Sequence, residues 1–363
     1  MASTQARERR EAHLARMHER LTAAVEELVS GEDWARALSF AARFRSRSFN
    51  NTMLIWTQHL EAFEAGRVQA SEPSYVAGFK QWQALGRQVD KGQSGYQIFA
   101  PVTARFASAN PGDAQSWRRL EPREKPRAGE VVRSKVIAAK PAYVWDVSQT
   151  SGEPLPEATS PRLLEGEAPE GLWVGLSQAI QERGFAVALV PDAFAIDGAN
   201  GRTHYGERTV VVRADMDPAA QVKTLAHELG HVVLHGPGNE EAGQHRGVSE
   251  VEAESVALMV GAAHGMDTAD FTLPYVGGWA EQAAKAEERS VAEVIQATGE
   301  RVRKAAVTIL EGLSTDQISD GIPPGLQRED HRRSPSREPA AAVLPESGRV
   351  SGPEHAAPVG RGL

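Results

Sequence analysis

The sequence predicts an α+β protein of two domains: an N-terminal α+β unit over residues 1–160 and a mainly helical unit with a small sheet over 170–315, followed by a polar tail at 316–363. Three observations lead to this reading. Apolar residues recur at helical spacing through long stretches of both halves, and short β-branched runs lie between them. Residues 151–169 are rich in Pro, Glu and Ser and read as a linker, while 316–363 hold few large apolar side chains, a composition that favours disorder. The charge divides near the same place. Residues 1–150 carry 22 lysines and arginines against 16 acids, and the remainder 18 against 32, within a net charge of −8.

In chain order, residues 5–30 place Leu14, Met17, Leu21, Val25 and Leu28 on one helical face, and a second helix is expected over 32–45. A third is expected over 50–65, starting at the cap-like Asn50-Asn51. Residues 74–84 read as helical and end near Gly86. Strand signals then run from Gln93 to Val102, Val131 to Ala138 and Ala142 to Val147, with a long charged loop over 107–130. In the second half, a helix from Leu172 to about Arg183 precedes strands at Ala186 to Val190 and Thr209 to Val212. Three helices follow: one after Asp217-Pro218, one over 249–264 and a long one over 280–312.

The first of these three helices carries the chemistry. His227-Glu228-Leu229-Gly230-His231 is an H-E-x-x-H pentad. Histidines four apart share a helix face, so both imidazoles can reach one metal ion, with the glutamate between them placed as a general base for water. Asp217-Pro218 supplies a cap and a first-turn proline, Gly236-Pro237 a stop, and Val222, Leu225, Leu229 and Val232 an apolar stripe. A catalytic Zn²⁺ takes three protein ligands, so a third is needed downstream. Glu250 is favoured, with Glu254 orienting an imidazole from behind; the reverse assignment is the alternative. Ser249 and Glu252 have the capping-box form, which would occupy Glu252. His235 reads as a histidine at the helix C-terminus and His245 as a weaker rival ligand, while Tyr205 or Tyr275 could donate to an oxyanion.

The chain has no cysteine, which excludes disulfides, thiolate metal sites and cysteine nucleophiles. No run reaches the length of a membrane span and the N-terminus is Arg/Glu-rich, so the expected location is the cytoplasm, away from membranes. The basic first half suggests an anionic partner, nucleic acid foremost. Arg43, Arg45, Arg47, Asn50 and Asn51 stand beside two phenylalanines, and Lys80, Trp82, Arg87 and Lys91 follow. Cations interleaved with aromatics can hold single strands, although Trp82 and the phenylalanines also suit a core.

The runs Ser48-Phe49-Asn50-Asn51-Thr52-Met53-Leu54-Ile55-Trp56-Thr57-Gln58, Val76 to Trp82, Leu85 to Gly92, Ile98 to Pro101 and Val144 to Ser148 together resemble the N-terminal domain of ArdC-type antirestriction proteins. The stretch from Leu225 to His235, with Glu250, Ala253 and Glu254, resembles the same family's peptidase domain and the ImmA/IrrE regulatory peptidases. The resemblance implies a single-stranded-DNA-binding domain followed by a zincin-like metallopeptidase domain, acting against restriction on a mobile element such as a plasmid. It also implies a third ligand at Glu250. Two other functions stay open: a regulatory peptidase cleaving one protein partner, and a non-catalytic strand-coating protein with structural zinc. The segment 103–135 is longer and more charged than the resemblance implies, and 320–363 lies outside it.

Overall fold

The computed structural model describes residues 2–155, 166–236, 246–267 and 276–326, and the structural statements below concern these. Most of the expected linker, His245, Tyr275 and the tail from 327 onward lie outside them.

Helices α1 (Ala2–Glu26), α2 (Gly31–Arg43) and α3 (Phe49–Glu64) open the chain. α2 starts at a capping box, in which the Ser30 side chain accepts from the Asp33 N–H at 3.1 Å and Asp33 accepts the Ser30 N–H at 2.9 Å. The cap of α3 is Ser48 rather than the expected Asn50-Asn51. Asn51 instead braces α3 against a strand, exchanging hydrogen bonds of 2.9 and 2.8 Å with the Phe99 backbone.

The expected helix over 74–84 is half strand: β1 (Val76–Gly78) precedes a short α4 (Phe79–Ala84). Pairing decides this, because Val76 to Gly78 lie antiparallel to Val144 to Asp146. After β2 (Arg87–Val89), the chain forms β3 (Tyr96–Ser108), the two-residue β4 (Arg118–Arg119), one long β5 (Val131–Asp146) where two strands were expected, and β6 (Thr150–Gly152). The first sheet runs β1-β5-β3-β4, and β2 pairs with β6. The far ends of β3 and β5 form an arm that β4 joins on the β3 edge, so the expected loop over 107–130 supplies the tip and third strand of that arm.

The second half contains α5 (Leu172–Glu182) and a three-stranded sheet, β7-β9-β8, of Ala186–Val190, Thr209–Arg213 and Gly201–His204. α6 (Pro218–Leu234), α7 (Arg246–Ala263), α8 (Val276–Glu287) and α9 (Val291–Gly312) follow. The helix expected over 280–312 is thus two helices. Glu288 takes a positive φ of 53° and Ser290 opens α9 with a capping box to Glu293.

The class is α+β as expected, and the two halves keep separate sheets while sharing one core. Trp34 of α2 and Phe49 of α3 are fully buried, and the Trp34 ring packs 6.0 Å from that of Trp279 in α8. The Trp34 indole N–H donates to Ser255 of α7 at 2.9 Å. Gly299 leaves room for Phe49 on α9; a Cβ there would stand 2.6 Å from the ring. The expected tail begins later than 316: the Gly321 carbonyl accepts from the Val76 N–H at 2.9 Å and Leu326 packs beside Trp82. No described helix is long and apolar enough to cross a membrane.

Candidate metal centre

α6 starts where Asp217 accepts the Ala220 N–H at 2.8 Å with Pro218 in the first turn, as its local signals predict. Val222, Leu225, Leu229 and Val232 are buried, and His227 and His231 stand on a neighbouring, half-buried face. α7 crosses close to that helix. Gly230 sits at the crossing, where a Cβ would stand 3.0 Å from Ala253 Cα and 3.2 Å from its carbonyl oxygen. The approach sets Glu250 and Glu254 opposite the histidines.

His227 Nε2 and His231 Nε2 lie 3.1 Å apart, and Glu250 Oε2 lies 3.5 Å from each. Ligands bonded at about 2.0–2.2 Å around a tetrahedral ion stand roughly 3.3–3.6 Å from one another, so these two imidazole nitrogens and one carboxylate oxygen fit a single divalent ion. Behind His227, Glu254 meets Nδ1 at 3.0 Å and is itself paired with Lys223 Nζ at 3.2 Å. Burial alone would lower the His227 imidazole, but its hydrogen bonds to Glu250 and Glu254 and the charge of Glu228 raise it to about 9. Hydrogen bonds from both histidines hold the Glu250 carboxyl well below the usual carboxylate range. A metal ion held by the same atoms would displace the proton that these groups share, so its binding would release a proton.

Glu228 is buried and accepts the Thr203 hydroxyl at 2.6 Å. The β8 backbone passes beside it; a Cβ on Gly201 would stand 2.9 Å from Oε1. A cleft of about 560 Å³ is lined by His227 and Glu228 together with Asn200, Gly201 and Thr224. Sequence reading missed β8, because Gly201 to His204 carries no apolar alternation and becomes a strand by pairing with β9.

His231 is held from its other side. Its Nδ1 lies 3.1 Å from His235 Nδ1, His235 Nε2 lies 2.9 Å from Glu252, and Glu252 accepts from Arg301 Nε at 2.7 Å. Two expectations change here. Ser249 lies inside α7 instead of capping it, and Glu252 is occupied by His235 and Arg301 rather than by a cap. His235 braces the second histidine as well as ending the helix; its four-residue spacing from His231 was the available signal. The Tyr205 hydroxyl donates to the His231 carbonyl at 3.0 Å, a bracing contact. Burial, then the charges of Glu228 and Glu250, push that phenol up to about 12.

The residues expected to meet DNA are dispersed. Trp82 is fully buried with its N–H on the Trp145 carbonyl at 3.0 Å, so it cannot stack on a base. Arg87 is buried and donates to Thr150 Oγ1 at 2.9 Å. Arg45 donates to the Ile318 carbonyl at 3.0 Å and Arg47 to the Val76 carbonyl at 2.5 Å; burial lowers both guanidinium pKa values. Asn50 lies 3.4 Å from Gln296, and Arg43 pairs with Glu72. Only Lys80 and Lys91 of the expected set are exposed. Arg45 and Arg47 lie in the connection between α2 and α3, where the fold uses their guanidinium groups to satisfy its own carbonyls.

An H-E-x-x-H helix crossed by a carboxylate-bearing helix, with a small sheet beside the glutamate, is the arrangement of a peptidase-like domain with a candidate metal centre, here built onto an N-terminal α+β unit. Residues 9–145 match the family described as the N-terminal domain of anti-restriction factor ArdC, and residues 184–292 match the M78 peptidase family, described as an IrrE N-terminal-like domain. The chain thus joins an ArdC-type N-terminal domain to an M78-type domain. It is 24% identical over 281 residues to an uncharacterized Bacillus anthracis protein, pXO2-81; the match covers 72% of this chain and 45% of that one, so this chain spans less than half the relative's length. Among solved structures, it is similar to the metal-free antirestriction ArdC protein from the R388 plasmid (19% identity, 72% of this chain and 84% of the other, TM-score 0.43). The Mn(II)-bound form of that protein also matches (19% identity, 72% and 87% coverage, TM-score 0.39).

Proposed function

We propose that this chain is an antirestriction protein of a mobile element such as a plasmid, acting in the cytoplasm, that binds single-stranded DNA and carries a zinc-dependent peptidase-like centre. The observation that carries the second part is the convergence of His227, His231 and Glu250 on one point with Glu228 beside the cleft. His227, His231 and Glu250 would hold the ion, and Zn²⁺ suits an N,N,O donor set with a carboxylate base alongside. When bound, such an ion supplies Lewis acidity, polarising a substrate carbonyl and acidifying water.

The chain's own groups do the rest. Glu228, oriented by Thr203, is placed to take a proton from water and return it to the leaving amine. Glu254, at 3.0 Å from Nδ1, would hold the proton of His227 there and leave Nε2 to bind the ion. Low-dielectric surroundings strengthen both effects. A second reading, a regulatory peptidase that cleaves one protein partner, is favoured by the IrrE-like match over 184–292.

Glu228→Gln separates chemistry from binding. Protection of unmodified DNA in a restricting host is expected to fall by at least two orders of magnitude while metal content stays at wild-type level by mass spectrometry. Unchanged protection would mean that the function is binding alone.

A further inference from the structure

The β3–β5 arm contributes nothing to the shared core, yet it concentrates charge. Residues 103–136 hold eight lysines and arginines against four acids. The ladder register sorts them by face. Phe106 lies opposite Arg133 on β5 and Arg119 on β4, so the three side chains share one face, and Lys135 opposite Ala104 extends it. Arg118, one residue away, opposes Ala107 and points to the other face, where it binds Glu124 and Glu130.

Glu124 and Glu130 are therefore gathered on the side away from Phe106. Among the described residues, Arg119, Arg133 and Lys135 have no carboxylate at ion-pair distance, and all three are exposed. Trp117 completes the face: the Arg133 guanidinium carbon sits 4.9 Å from its ring centroid and Lys135 Nζ 5.9 Å from it. Lys135 is also 5.8 Å from the Phe106 ring. A monomer gains little by lining a free sheet face with two half-exposed rings and three cations that have no carboxylate partner. Such a face fits a partner that is both anionic and flat-ringed.

We propose that this face of the arm seats the single-stranded DNA, with Trp117 and Phe106 stacking on unpaired bases and Arg119, Arg133 and Lys135 meeting phosphates. The inference rests on the strand-binding reading above and adds its location, at residues outside the basic run that composition singles out. Paired bases offer no free ring faces, so the arrangement selects single strands over duplex. The three cations supply the salt-dependent part of affinity and the rings the salt-independent part.

The test uses the full chain and a fluorescent oligo-dT, with anisotropy read across a sodium chloride series. Replacing Arg119, Arg133 and Lys135 together by Gln is expected to flatten the slope of log affinity against log salt by about 2, at roughly 0.7 for each phosphate that is no longer neutralised. Trp117→Ala is expected to weaken binding about 5- to 150-fold with the slope unchanged, and Trp117→Phe to restore most of it. Thermal melting of each variant checks the fold. If the wild-type chain binds and the charge variant keeps its affinity and slope, the strand lies elsewhere and the proposal is wrong. If the wild-type chain binds no oligo-dT, the strand-binding reading itself fails and takes the proposal with it.

Discussion

A carboxylate can serve a metal site from behind as well as from the front, and in the proposed centre Glu250 and Glu254 would divide those tasks by one helical turn. Glu254 meets His227 Nδ1 at 3.0 Å and Lys223 Nζ at 3.2 Å, so its charge is spent on orienting a ring. Glu254→Gln is expected to lower Zn²⁺ affinity about 10- to 100-fold in a calorimetric titration, with the circular dichroism of the apoprotein unchanged. Wild-type affinity in that variant would remove Glu254 from the site. At this scale the sequence was legible where spacing alone decides: a four-residue interval puts two imidazoles on one helix face in any fold. It was not legible where distant segments meet. Nothing near Thr203 announces that its hydroxyl reaches Glu228, and nothing near Glu252 announces Arg301, because those pairings are made by tertiary packing.

Elements were readable to the extent that their boundaries are local. Asp217-Pro218 starts α6 through contacts within a few residues, and it was found. Ser290 and Glu293 form an equally local box, yet helical spacing continues on both sides of it, so the sequence reads as one helix where two exist. β1 could not be read from composition, since a partner strand far along the chain imposes it, and β8 could not because its polar run becomes a strand only by pairing with the neighbouring β9.

The box at the start of α2 gives a pH signature. The Ser30 backbone N–H, then its hydroxyl, with help from Arg36, holds the Asp33 carboxyl down to about 2. A folded value below the ordinary one means that the contribution is full above about pH 4 and is lost as the pH falls toward 2. Ser30→Ala removes a capping partner and is expected to cost about 1 kcal/mol near neutrality. Its melting temperature should also fall less steeply than that of wild type between pH 4 and about 2.5. Parallel curves for the two proteins would show that the box contributes no linkage.

For the molecule as a whole, the shared core matters more than the two sheets. α2 and α7 meet through Trp34 and Ser255, and α3 and α9 through Phe49 and Gly299. Since α7 also carries Glu250, an ion at the centre is expected to stabilise the entire unit. Saturation at a hundredfold excess over Kd is worth about 2.7 kcal/mol, and chelation should lower the melting temperature in one transition common to all probes. Two transitions, only one of them sensitive to chelator, would mean that the halves melt separately.

The Trp34–Ser255 contact also bears on how the protein can be taken apart. A cut near residue 160 looks safe in the sequence, where Pro, Glu and Ser crowd together. In the folded chain it would strip Trp34 and Phe49 of their cover, at a loss of about 2–3 kcal/mol for each large side chain returned to water. The same cut would leave the glutamate-bearing helix with a raw flank. Scissors are therefore the wrong instrument for assigning tasks to the two halves, and single side-chain changes in the intact chain are the right one.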